Sequence, residues 1–204
     1  MAYFLATVAR ESVICFPLDV KHQSQAESGP DFWLTLAGTR VGVECVEAAS
    51  QESYRIERMR EIKYPEAFVF GQRFHPSDRR YSDDEREQIA SGQMTGPPWM
   101  TGSAQKSWMA TMDYFVARKV AKLAKGNYAG ATETWLLIQD QWPTPLRFYP
   151  ERVRDAANKL TDLLLKRGYG FDAVYILSGK QLLCIERGAC VALPIVDLWA
   201  VEEA

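Results

Sequence analysis

The chain has 204 residues, 47% of them hydrophobic, with 24 basic against 26 acidic side chains and a net charge of −2. That length supports one sizeable core, so a single α/β domain over residues 1–204 is expected and two equal domains are excluded. The near-neutral charge excludes a uniformly basic, histone-like surface and leaves room for a local basic groove.

Cys15, Cys45, Cys184 and Cys190 lie far apart without a CxxC pair. This spacing argues against a compact zinc knuckle or a disulfide scaffold and for buried free thiols. Residues 1–10 lack a basic and apolar leader, and no apolar run reaches bilayer length, so a cytoplasmic protein without membrane contact is expected.

In chain order, residues 3–9 and 12–16 are short apolar stretches that fit either buried strands or one helix. Residues 23–30 are polar and turn-rich. Phe32, Leu34 and Leu36 then alternate with Trp33 and Thr35, and Gly38, Thr39 and Arg40 turn the chain into a second alternation over 41–46, which predicts a β-hairpin. Residues 48–63 set charged side chains around Ile56, Met59 and Ile62, a partly exposed helix that Pro65 stops. From 71 to 101 the chain is polar and broken by Pro76, Gly92, Gly96, Pro97 and Pro98, an insertion or lid with a short helix over 83–91.

Residues 103–125 carry the strongest helical pattern, a stripe of Trp108, Met112, Phe115 or Val116, Val120 and Leu123 ended by Gly126 and Asn127. Residues 136–138 read as a core strand, 150–168 as a second amphipathic helix, and 173–177 and 182–185 as late strands. Strands interleaved with helices predict a three-layer α/β fold with a central mixed sheet flanked by helices.

Asp31 opens the first strand of the hairpin and Glu44 lies on the second. Two carboxylates directed at one point repel, and a Mg2+ or Mn2+ ion reverses that preference, orients water and stabilises charge on a phosphoryl oxygen. The bland alternative is a strand-end acid and a solvated hairpin acid. On Pro30-Asp31, the hairpin, Gly42-Val43-Glu44-Cys45-Val46, the long helix and the strand at 136–138, the chain resembles the PD-(D/E)xK, or restriction-endonuclease-like, nuclease superfamily over roughly residues 27 to 185. The resemblance implies a restriction-endonuclease-like sheet, Mg2+ or Mn2+ on Asp31 and Glu44, and a lysine that positions or activates the hydrolytic water.

The usual lysine position is Val46 here. Some members supply the charge from a nearby helix, which makes Lys119 and Lys122 the catalytic candidates, ahead of Lys106 and Lys125. The implied activity is metal-dependent hydrolysis of DNA, with RNA as the second substrate and a homodimer or larger assembly compatible with it. The alternatives are a catalytically inactive nuclease-like nucleic-acid-binding or regulatory protein, and a protein-interaction module with no nucleic-acid role.

Other polar groups have weaker readings. Glu47, Gln51 and Glu52 are either extra acidic-site groups or helix-cap and surface residues. Glu61-Ile62-Lys63 repeats the acidic-x-lysine pattern inside a helix. Arg73, Arg79, Arg80 and Arg86, with Phe74 and Tyr81, fit either phosphate and base contacts or a mixed-charge surface. His22 and His75 read as loop residues, and Trp99, Trp108, Trp135 and Trp142 as packing residues. There is no P-loop or dinucleotide fingerprint.

Overall fold

A computed structural model describes residues 1–11, 14, 18–23, 29–68, 72–100, 102–125 and 128–198. The elements are α1 (Ala2–Arg10), β1 (Leu18–His22), β2 (Phe32–Leu36), β3 (Thr39–Ala48), α2 (Gln51–Lys63), α3 (Asp83–Ala90), α4 (Ser103–Leu123), β4 (Glu133–Asp140), a 3-10 turn (Pro145–Phe148), α5 (Pro150–Arg167), β5 (Ala173–Ser178), β6 (Gln181–Glu186) and β7 (Ala189–Pro194). Among the described residues no helix is long and apolar enough to cross a membrane.

The hairpin turns one residue earlier than its composition suggests. Ala37 and Gly38 take positive φ, 46° and 85°, and their twist suits a two-residue connection between antiparallel strands. Thr39 and Arg40, expected in the turn, already pair with Leu36 and Thr35. The helix expected over 48–63 begins only at Gln51, because Ser50 accepts the Ser53 N–H as its cap while Ala48 is still in β3. In the 71–101 stretch, the Ser82–Glu85 capping box starts α3, and Phe74, Ile89 and Ala90 are buried in the main core.

All seven strands form one sheet in chain order, with β3, β4 and β5 parallel and every other pairing antiparallel. Two successive right-handed crossovers in one direction put their helices on the same face of a sheet. Strand alternation then divides the interior. Leu136, Ile138, Val174 and Ile176 face α4 and α5. Val41, Val43, Trp135, Leu137 and Tyr175 face the other way, where Phe4 and Val8 of α1 cover them. The result is a central mixed sheet with helices on both faces in unequal layers.

α1 settles residues 3–9 as a helix; residues 12, 13, 15 and 16 lie outside the described residues, and Ile14 is buried beside α1. The end of α4 expected at Gly126 and Asn127 also lies outside them. Cys45, Cys184 and Cys190 are free, as expected, but half-buried rather than buried. Cys15 is not among the described residues.

Candidate active site

On β3 the residues facing α4 are Gly42, Glu44, Val46 and Ala48. Glu44 therefore enters the sheet–helix interface, in register with Leu136 of β4, at 0% exposure. A carboxylate buried among apolar groups is costly unless it is paired. α4 supplies the partners. Its buried Trp108, Met112 and Phe115 follow a spacing of four and three, and the same spacing continued lands on Lys119 and Lys122.

Lys119 Nζ donates to Glu44 Oε2 at 2.6 Å. Lys122 Nζ donates to Oε1 at 2.7 Å and Oε2 at 3.0 Å. Tyr128 donates its hydroxyl to Oε1 at 2.5 Å. Those four contacts fill the acceptor positions of one carboxylate. Lys119 Nζ also stands 3.6 Å from Asp31 Oδ2, which accepts the Cys45 N–H at 2.7 Å. Asp31, at the mouth of β2, is thus pinned to β3 one residue beyond Glu44. The sequence candidates Asp31, Glu44, Lys119 and Lys122 meet at one point.

Gly42 makes the crowding here feasible. A Cβ on it would lie 3.2 Å from Pro30 Cγ and 3.5 Å from Tyr128 Cδ1, so its bare backbone admits both groups beside Glu44. Burial, with Glu44 adding, pushes the Tyr128 hydroxyl well above its usual range, so it stays a donor. Burial, reinforced by the Asp31 charge, pushes the Cys45 thiol up to about 12, which removes it as a nucleophile.

Two carboxylates and two ammoniums balance in charge. Their exposures differ: Asp31 is 31% exposed, Lys119 17% and Lys122 46%. Among the described residues no group of three or more His, Cys, Asp or Glu side chains converges as a ready metal cage. Mg2+ does not need one, since it is held by one or two carboxylates and keeps several waters. Lys119 already places positive charge against both Asp31 and Glu44, so the donor set fits a divalent cation. Because Glu44 is saturated, an ion there requires one donor to move aside. Lys122 has the solvent to move into.

The other candidates are elsewhere. Val46, at the usual lysine position, packs against the main core. Lys106 is exposed near the start of α4, about 20 Å along the helix from Lys119, and Lys125 is exposed just past its end. Ile62 and Lys63 face solvent on α2, with Lys63 3.2 Å from Glu87. Arg86 grips Glu52 at 2.8 Å and Asp83 at 2.6 Å, Arg79 pairs with Glu85, and Arg73 lies over Trp99.

Phe74 is buried and offers no stacking face, while Arg80 remains exposed beside a cleft that Glu47 and Gln51 also line. His22 ends β1 against Phe32 rather than lying in a loop, and His75 bonds Ser77 at 2.6 Å. Trp108, Trp135 and Trp142 are buried, as packing residues should be. Tyr128 and the Cys45 N–H were not legible as site groups; the one available signal was Gly42, a mid-strand glycine of the kind that marks close approach.

No family model, curated protein or solved structure matches this chain.

Proposed function

We propose that this chain hydrolyses phosphodiester bonds in DNA with the help of Mg2+ or Mn2+, on a restriction-endonuclease-like frame. One observation carries the reading: a buried carboxylate, a second carboxylate at a strand mouth and two lysines converge from β3, β2 and α4. Asp31 and Glu44 would hold the ion, which when bound supplies Lewis acidity toward a phosphoryl oxygen and acidifies water.

The remaining work belongs to the chain itself. Lys119, fixed between the carboxylates, replaces the charge that Val46 cannot provide and directs its N–H groups toward an attacking water. Lys122 leaves Glu44 and turns to a non-bridging phosphate oxygen, where a mobile point charge suits the developing negative charge. Tyr128 holds Glu44 in its rotamer.

A second reading, a nuclease-like protein that binds nucleic acid without cutting it, is favoured by the saturation and neutrality of the cluster as it stands. Purified wild-type protein, Asp31→Ala and Glu44→Gln, each with Mg2+, Mn2+ or EDTA, decide between them on single- and double-stranded DNA. Metal-dependent cutting by the wild type alone supports hydrolysis. Binding without cutting in either metal transfers the assignment to the second reading, and cutting that survives Asp31→Ala removes the site.

A further inference from the structure

α4 has a second charged row besides the pair that reaches Glu44. Arg118, Lys122 and Lys125 are exposed and follow one another at four and three residues, so they lie along one line of the helix surface and into its terminal turn. Lys122 belongs to both rows, so this one passes directly over the buried carboxylate.

At the Arg118 end, beside the carboxyl ends of β3 and β4, opens a cleft of about 330 Å³. The half-buried Tyr81 and Tyr114 line it over the buried Phe115 and Trp142, with Arg80 and Arg118 contributing the positive charge. Tyr114 stands edge-on to Phe115, with the Arg118 guanidinium 5.9 Å from its ring centre. Of the acids there, Glu52 is committed to Arg86, and Asp78 accepts the His75 N–H at 2.6 Å. Glu47 borders the cleft at the end of β3, and strand alternation between Val46 and Ala48 turns its side chain toward the other face of the sheet.

The spacing links cleft and cluster. Arg118 is four residues from Lys122, about 6 Å along the helix axis. Glu47 is three residues from Glu44, about 10 Å along the strand. A stacked DNA strand advances about 3.4 Å per nucleotide, so the cleft stands roughly two or three nucleotides from the buried carboxylate.

Within a duplex a base shows only its edges, and its face meets an aromatic wall in a recess only when it is unpaired. We infer that the cleft receives an unpaired base of a DNA strand whose phosphates follow Arg118, Lys122 and Lys125, which makes the preferred substrate single-stranded or locally opened DNA. This rests on the hydrolytic reading above and adds its substrate class.

Two measurements on the full chain keep the two ideas apart. Mn2+-dependent hydrolysis of bis(4-nitrophenyl) phosphate reports the carboxylate site with no base to place; its absence sinks the hydrolytic reading and leaves DNA binding to decide the inference. Fluorescence anisotropy in EDTA then compares a labelled 15-nucleotide single strand with a hairpin duplex carrying the same sequence.

The single strand should bind about tenfold more tightly, as one stacked base accounts for. Arg80→Ala/Arg118→Ala, both at exposed positions, should weaken it about tenfold while the duplex changes less. Equal affinity for the two DNAs, or single-strand binding unchanged in the double variant, overturns the inference.

Discussion

Glu44 and Glu52 each lie between two cations, and the origin of those cations separates them. Glu52 is in the first turn of α2, where a negative charge suits the helix end. It takes the fork of Arg86 at 2.8 and 3.2 Å and its own helix's Arg55 at 3.1 Å. The hydrogen bonds from Arg86 hold its carboxyl below the usual range. The arrangement ties α3 to α2 near the surface, and stability explains it. Glu44 is in mid-strand at 0% exposure, and its cations are lysines 75 and 78 positions later in the chain. Moving ions out of water costs several kcal/mol each, and apolar side chains of similar size would serve packing as well. Stability alone does not account for that cluster, which is why its function is sought there.

The strongest way to break the contrast is to remove the charges together. Glu44→Leu alone removes the carboxylate partner of Lys119, whose side chain is 17% exposed, while Lys122 can turn to solvent, and should cost about 3 kcal/mol in urea unfolding. Glu44→Leu/Lys119→Met/Lys122→Met should recover that loss, or exceed wild type by about 1–4 kcal/mol, with no metal-dependent cleavage. A triple variant as unstable as the single one makes the cluster a staple like the other.

Glu52→Gln should cost about 2 kcal/mol, since charged hydrogen bonds are lost at a 14% exposed side chain. The sign follows from the lowered carboxyl. Its contribution is complete above the ordinary value of 4.5 and is lost as pH falls through the lower folded value. Wild type and variant should therefore converge in acid during pH-dependent unfolding, and a gap that persists there points to something besides this carboxylate.

Gly42→Ala should cost about 1.5 kcal/mol, because Pro30 and Tyr128 must yield to the new methyl. Thermal unfolding checks it, and an unchanged midpoint means the approach has slack. The smallest effect sharpens the picture of Glu44 itself: Tyr128→Phe should lose about 1 kcal/mol and lower kcat more than KM, as expected of a group that positions rather than binds. A change confined to KM assigns Tyr128 to substrate contact instead.

Much of the frame was readable because burial imposes periods on a chain. Phe32, Leu34 and Leu36 announced β2, and the Trp108–Met112–Phe115 stripe announced α4. β1 and β7 gave no comparable signal. They are edge strands, β1 exposed along most of its length and β7 at every other residue or so, and the backbone bonds to β2 and β6 hold them in the sheet. Lys119 and Lys122 were candidates because the family resemblance allows a helix to supply the missing lysine and Lys119 borders the apolar stripe, with Lys122 three residues on, whereas Tyr128 follows α4 in a stretch with no period at all. For Arg86 the sequence left a phosphate contact and a mixed-charge surface both open, and the packing of α3 on α2 turns it toward Glu52.

The sequence by itself determined the hairpin, the long helix, the alternating layers and which charged residues were available, since each depends on neighbours within a few positions. Only the tertiary structure decided which charges meet. The parallel step from β3 to β4 carries α4 back over the sheet, and that crossover brings Lys119 and Lys122 onto a carboxylate 75 and 78 residues earlier. No local period encodes such a meeting, because register and crossover hand set it through the packing of the whole sheet.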